Sequence, residues 1–227
     1  MEALIDADSI CYKYASIYQD TCIWDKSDKD NIISTVSTDW DTAVIEMEGF
    51  VQGILDATDT TAYHLILSPK RTFRYDVDPL YKHNRKPPAV PLELLGPLRD
   101  YMLEKMGALC FDDVEADDVC VSRMYQEPGK YILCHIDKDL NQAYGRHYNY
   151  NTREHFIIDQ VEADYWFYEQ ALTGDSVDGI KGCPKIGKVR ATKLLAKTNP
   201  TDYWKVIVAA YEKADKDEDY AVQQARL

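Results

Sequence analysis

Three short apolar runs punctuate the chain: Ala3-Leu4-Ile5, Tyr63-His64-Leu65-Ile66-Leu67 and Tyr131-Ile132-Leu133-Cys134-His135-Ile136. Runs of this length, bounded by polar residues, suit buried strands. Between them lie segments with helical spacing. Residues 41–57 place Val44, Met47, Val51, Ile54 and Leu55 on one face, and residues 92–106 do the same with Leu95, Leu98, Met102 and Met106. A helix over 10–19 follows the first strand, with Asp8 or Ser9 positioned to cap it. A short strand at 108–111 feeds a helix reaching residue 126. Strands alternating with helices predict an α/β fold, a mostly parallel sheet with helices on both faces.

Other stretches break this rhythm. Residues 20–40 are polar and read as a loop or hairpin excursion. Residues 69–91 carry five prolines (Pro69, Pro79, Pro87, Pro88 and Pro91) and read as a mobile surface segment. A hairpin is expected over 147–158, turning at Asn151-Thr152. Beyond residue 160 come helices over 162–172, 188–197 and 202–214, a Gly-rich turn and a polar tail. Two lobes follow from this texture, a sheet domain over 1–160 and a helical one over 161–227.

The segment Asp112-Asp113-Val114-Glu115-Ala116-Asp117-Asp118 packs five carboxylates into seven residues at the start of a helix. The helix dipole favours an acid there by about 0.3–1 kcal/mol, which accounts for one or two of them. In a parallel sheet, ligands sit outside the carboxyl ends of the strands. Asp6 closes the first strand, Asp137 and Asp139 follow the third, and Glu115, Asp117 and Asp118 follow the short one. Asp175 and Asp178 lie in the later Gly-rich turn. Like charges gathered together disfavour ionisation, and a hard divalent cation with oxygen ligands removes the conflict. Two such ions can serve phosphodiester hydrolysis.

The formal charge of −13 argues weakly against a polyanion partner. Its distribution argues the other way. Lys181, Lys185, Lys188, Arg190, Lys193 and Lys197 fall in an acid-free stretch, and Lys70, Arg71, Arg74, Lys82, Arg85 and Lys86 form a second basic island. Gly182 and Gly187 let the backbone turn tightly and approach a phosphate at the following helix N-terminus. The six cysteines include no C-x-x-C pair, so a thiolate zinc site is not expected; Cys110, Cys120 and Cys134 read as buried small hydrophobes of a reduced compartment. No run approaches the ~20 apolar residues of a membrane span, and the start lacks a signal-peptide pattern. A cytoplasmic location is expected, in a bacterial or phage-infected host cell, and a monomer.

Taken in order, Val-Glu-Ala-Asp-Asp (114–118), Ile-Asp-Lys-Asp-Leu (136–140) and Gly-Asp-Ser-Val-Asp-Gly-Ile-Lys-Gly-Cys-Pro-Lys-Ile-Gly-Lys (174–188) resemble the signatures of the 5′-nuclease (flap endonuclease) superfamily. The likeness is to bacteriophage 5′-3′ exonucleases and the 5′-nuclease domain of bacterial DNA polymerase I. Residues 71–85, Arg-Thr-Phe-Arg-Tyr-Asp-Val-Asp-Pro-Leu-Tyr-Lys-His-Asn-Arg, match that family's Phe-Arg…Tyr-Lys-x-x-Arg segment.

The resemblance implies a PIN-like domain with a helix–three-turn–helix appendage that binds duplex, and an arch over about 76–106. It implies two Mg²⁺ or Mn²⁺ ions, the first on Glu115, Asp117 and Asp118 with Asp6 nearby, the second on Asp137, Asp139, Asp175 and Asp178. Lys82 and Arg85 are expected on the scissile phosphate and Tyr81 stacked on a base. Arg71, Arg74, Lys181, Lys185, Gly187, Lys188, Arg190 and Lys193 are expected along DNA, with K⁺ at the 182–187 turn. The implied substrate is DNA with a 5′ flap, nick or free 5′ end, or RNA in an RNA–DNA hybrid. Ser68 stands where many members carry a metal-binding Asp, so a non-catalytic DNA-binding relative is one alternative. A PIN-type ribonuclease is another.

Overall fold

A computed structural model describes residues 1–27 and 32–227. The chain divides into two compact units. The first comprises Met1–Pro69, Pro87–Ile136 and Gly145–Phe156; the second comprises Lys70–Lys86, Asp137–Tyr144 and Ile157–Leu227. These units are discontinuous in sequence, unlike the single division expected at residue 160. Residues 70–86 and 137–144 pack with the helical unit.

The first unit holds β1 (Glu2–Asp6), α1 (Asp8–Ile17), the hairpin strands β2 (Gln19–Asp25) and β3 (Ile33–Thr38), α2 (Trp40–Thr58) and β4 (Tyr63–Leu67). It continues through α4 (Leu95–Glu104), β5 (Leu109–Cys110), α5 (Ala116–Gln126), β6 (Tyr131–His135) and β7 (Gly145–Asn149), and most of β8 (Glu154–Ile158). A six-stranded sheet runs β5-β4-β1-β6-β7-β8. Its first five strands are parallel, with Ile5 opposite Leu65 on one side and Cys134 on the other. The central strands β1, β4 and β6 are mostly apolar because both faces are covered. Ala3, Ile5, Leu65, Leu67, Ile132 and Cys134 share one core with buried residues of α1, α2 and α4. The alternate residues Leu4, Ile66 and Leu133 are equally buried, on the face that carries α5. Each such aliphatic side chain contributes about 1.5–3 kcal/mol by leaving water.

The 20–40 excursion is a two-stranded antiparallel hairpin; its middle, residues 28–31, lies outside the described residues. α1 begins two residues earlier than expected, and neither Asp8 nor Ser9 caps it; Ala7 holds the cap position. The acidic segment also differs, since α5 starts only at Ala116, with Glu115 as its N-cap residue. Residues 95–104, expected within the arch, are core: Leu98 and Met102 of α4 are fully buried. Cys120 and Cys134 are buried as expected, but Cys110 is exposed.

The second unit holds α3 (Arg74–Val77), a 3₁₀ turn (Lys138–Gln142), α6 (Gln160–Thr173), α7 (Lys188–Leu195), α8 (Tyr203–Glu212) and α9 (Glu218–Ala225). Leu172, Cys183, Ala191, Leu195, Ile207, Tyr211 and Ala221 form its core, and the Tyr211 hydroxyl donates to the Ala171 carbonyl at 2.7 Å. The polar tail is thus partly helical. Asp217 caps α9 through the Tyr220 amide at 2.9 Å, and Ala221 anchors the helix in the core. Among the described residues no helix is long and apolar enough to cross a membrane.

Candidate functional site

The first set of acids belongs to the sheet unit. Asp6 ends β1 at 8% exposure and Glu115 precedes α5 at 7%, while Asp117 and Asp118 occupy the first turn of α5. Asp6 and Asp117 act on the same buried thiol. Burial, then these two carboxylates, push the Cys120 thiol well above its ordinary range. Tyr150 closes the other side of Asp6 by donating its hydroxyl to the Asp6 carbonyl at 3.0 Å. Burial, then Asp6, drive that phenol upward too. Acids from a strand end and a helix start, over a hundred residues apart in the chain, therefore flank one buried thiol.

Ser68 has a structural assignment here. Its hydroxyl accepts the Ala116 amide at 2.9 Å, and its own amide donates to Asp8 Oδ2 at 3.0 Å. Arg99 of α4 donates to both Asp8 and the Ser68 carbonyl. The hydroxyl thus satisfies one of the unpaired amides that open any helix, and fixes where Glu115 and Asp117 begin. This Asp8–Arg99–Ser68 brace was invisible in the sequence, because its three members are scattered and none carries a motif.

The second set belongs to the helical unit. Asp137 caps the 3₁₀ turn, accepting the Asp139 amide at 2.9 Å. Burial, then Asp137, raises the proton affinity of Asp139; Lys138 opposes this, Asp175 adds to it, and a hydrogen bond from Gln170 lowers it. Asp139 therefore feels the charge of both Asp137 and Asp175. Asp175 accepts the Val177 amide at 2.7 Å and is tied by its backbone to Ile180. Asp178 is otherwise engaged, accepting Arg85 Nε at 2.7 Å and the Tyr81 hydroxyl at 3.4 Å.

By donor chemistry both sets suit hard divalent cations: they are carboxylate oxygens, two of them on buried residues and one raised first by burial and then by neighbouring like charge. Among the described residues, however, no group of three or more His, Cys, Asp or Glu side chains is placed to hold a metal ion.

The basic residues separate into exposed and committed ones. Lys181, Lys185, Lys188, Arg190 and Lys193 are exposed, and α7 opens at Gly187 without a side-chain cap. Lys188 lies over the Trp166 ring at 5.6 Å. Arg190 is partly used, donating to the Lys185 carbonyl at 2.7 Å. Gly182 has a φ of +63° and abuts backbone, as the sequence reading requires, but Gly187 does not: its φ is −97° and a Cβ there would meet nothing within 4 Å. Two other expectations fail. Tyr81 is only 4% exposed, edge-on to Tyr75, and offers no face to a base. Arg74 is buried, donating to the Leu227 backbone oxygen at 2.5 Å. Arg71 is exposed and pairs with Asp76, whose carboxyl it holds below the usual range. Lys82 is half-buried, its ammonium 4.8 Å from the Tyr81 ring.

No family model matches the chain. It is 31% identical over 173 residues to a 5′-3′ exonuclease of Buchnera aphidicola subsp. Schizaphis graminum, covering 68% of this chain and 60% of that protein. It is 32% identical over 130 residues to the flap endonuclease Xni of Shewanella piezotolerans, covering 51% of this chain and 50% of that protein. The chain thus spans between half and three fifths of the length of these relatives. Its fold matches the bacteriophage T5 D15 flap endonuclease, solved in a pseudo-enzyme-product complex with DNA and metal ions. That likeness has a TM-score of 0.64 at 13% identity, over 100% of this chain and 99% of that one.

Proposed function

We propose that this chain, similar in sequence to bacterial 5′-3′ exonucleases and flap endonucleases and in fold to a phage one, hydrolyses phosphodiesters near 5′ ends of DNA. The observation that carries the reading is the half-buried Asp139, whose carboxyl is pushed above its usual range by burial and then by the neighbouring Asp137 and Asp175.

In this reading Asp6, Glu115, Asp117 and Asp118 hold one Mg²⁺ or Mn²⁺, and Asp137, Asp139 and Asp175 hold another, with Asp178 in its outer shell. When bound, such ions supply Lewis-acid stabilisation of phosphoryl oxygens and lower the pKa of water to near neutrality. The protein's own groups do the rest. Lys82 and Arg85 neutralise the scissile phosphate. The exposed lysines from Lys181 to Lys193, with the uncapped amides of α7, hold duplex phosphates through sequence-independent, salt-sensitive contacts. The turn over 182–187 supplies carbonyls for a K⁺ ion, and the appendage is read as a helix–three-turn–helix element.

The test is cleavage of 5′-flap and nicked duplexes, with RNA–DNA hybrids and single-stranded RNA beside them. With Mg²⁺ or Mn²⁺, the wild type should release short 5′ fragments, and Asp137→Ala should abolish release while leaving salt-sensitive DNA binding. Binding without turnover in either metal would instead make the chain a non-catalytic relative, the reading that the uncharged Ser68 favours.

A further inference from the structure

The 174–182 loop that carries Asp175 and Asp178 is stapled at its base by two backbone bonds. Asp175 donates to Ile180 at 2.9 Å and Ile180 to Asp175 at 2.7 Å. Immediately past this staple, the amides of Lys181 and Gly182 both point at one side chain, Oε1 of Gln224, at 3.1 and 2.9 Å. Gln224 lies on α9 and is only 5% exposed. A buried amide oxygen accepting two consecutive backbone N–H groups does what a helix or strand partner would otherwise do. The neighbouring Gln223 donates Nε2 to the Val77 carbonyl at 2.9 Å, so α9 grips the segment bearing Lys82 and Arg85 as well.

We propose that Gln224 is a positioning residue, fixing the loop so that Asp175 faces Asp137 and Asp139 closely enough to share a cation. The inference rests on the function proposed above. The Asp175 carboxylate is held by the local amides of Val177 and Asp178, which orient it within the loop only. The loop is also held at Ser176 and Asp178 by Asn84 and the Lys82 amide; Gln224 adds a buried side-chain hold on the turn that closes it. Partners that orient metal ligands in this way typically change metal affinity or activity by about 10- to 100-fold when removed.

The test uses the full chain, with Mn²⁺ as the probe, read by the electron paramagnetic resonance signal of the free ion, alongside flap cleavage. Gln224→Met keeps volume and helix propensity but removes the acceptor; Gln224→Glu keeps the acceptor. The Met variant should weaken binding of one Mn²⁺ about 10- to 100-fold and lower kcat with little change in KM for DNA, and the Glu variant should restore both. In an Asp175→Asn background, Gln224→Met should have no further effect on Mn²⁺ binding. A folded Met variant with wild-type Mn²⁺ binding and kcat overturns the proposal, as does an additive effect in the Asp175→Asn background. If the Met variant does not fold, Gln224→Asn, whose oxygen falls short of the amides, takes its place with the same two outcomes. Failure of the wild type itself to bind Mn²⁺ or cut DNA would refute the functional reading instead.

Discussion

Replacing Gly182 by alanine tests the backbone on which the Asp175 loop depends. Its φ of +63° is the left-handed region, where a side chain costs roughly 1–2 kcal/mol. The larger effect is steric. A Cβ there would lie 2.4 Å from the Gly174 amide, 2.5 Å from the Thr173 carbonyl carbon and 2.7 Å from the Leu172 oxygen, all backbone atoms that cannot rotate away. Ordinary van der Waals separation needs a shift of about 1 Å, enough to break the two bonds to Gln224 and that from the Cys183 amide to the Leu172 carbonyl. At about 1 kcal/mol each, the total reaches about 4–5 kcal/mol. For a chain of this size that is about 8–20 °C in Tm. Gly187→Ala is the matched control. Its backbone is extended and a Cβ has open space, so only the weaker cap preference of alanine is lost, about 1 kcal/mol or less. Calorimetry on both variants decides the matter. Equal melting temperatures, or a Gly182→Ala protein within about 2 °C of wild type, would refute the steric reasoning.

Three further outcomes are expected. Ser68→Ala leaves the Ala116 amide without its acceptor and should lower stability by about 1–2 kcal/mol in urea unfolding, with weakened Mn²⁺ binding; unchanged stability would show that the hydroxyl braces nothing. Asp139 has a raised folded-state pKa, so its contribution to stability is present below the unfolded pKa and is lost as pH rises through the folded one. Asp139→Asn should therefore raise the Tm of the metal-free protein at pH 7 yet reduce its gain on adding Mg²⁺, and a lower metal-free Tm would contradict this. Iodoacetamide at pH 8 should modify the exposed Cys22 first and spare Cys11, whose buried thiol is pushed up to about 12; peptide mass spectrometry showing Cys11 labelled first would overturn that order.

The centre of the sheet was legible because β1, β4 and β6 are short, mostly apolar and bounded, buried on both faces. The placing of Asp6 and Asp137 at the ends of β1 and β6 was legible for a related reason, since residues that close parallel strands have few places to go. Bonds between distant side chains and backbone were not. Arg99, Asp8 and Ser68 are unremarkable where each stands in the sequence, and only the fold makes them a brace. α9 was missed because only Ala221 and Gln224 of its eight residues are buried, too few to produce a periodic apolar stripe. Tyr81 and Arg74 were misjudged because aromatic and basic residues in a proline-rich stretch look exposed by composition. Their burial follows from the docking of residues 70–86 within the helical unit.

That docking bears on how the proposed phosphate ligands can work. Arg85 pairs with Asp178 at 2.6 Å, yet its side chain is 54% exposed, and a pair this open to solvent is worth at most about 1 kcal/mol. The pair cannot be what fastens the basic segment to the loop. Main-chain and amide contacts do that: the Lys82 amide to the Asp178 carbonyl at 2.7 Å, the Asn84 side chain to the Ser176 carbonyl at 3.0 Å, and Gln223 to Val77. None of these uses a charged side chain. Arg85 can therefore exchange Asp178 for a phosphate, and Asp178 can exchange Arg85 for a hydrated cation, at little cost and without the two segments separating. In the proposed function, the weakness of this ion pair would let the same two residues be held in place before substrate binds and be released to it afterwards.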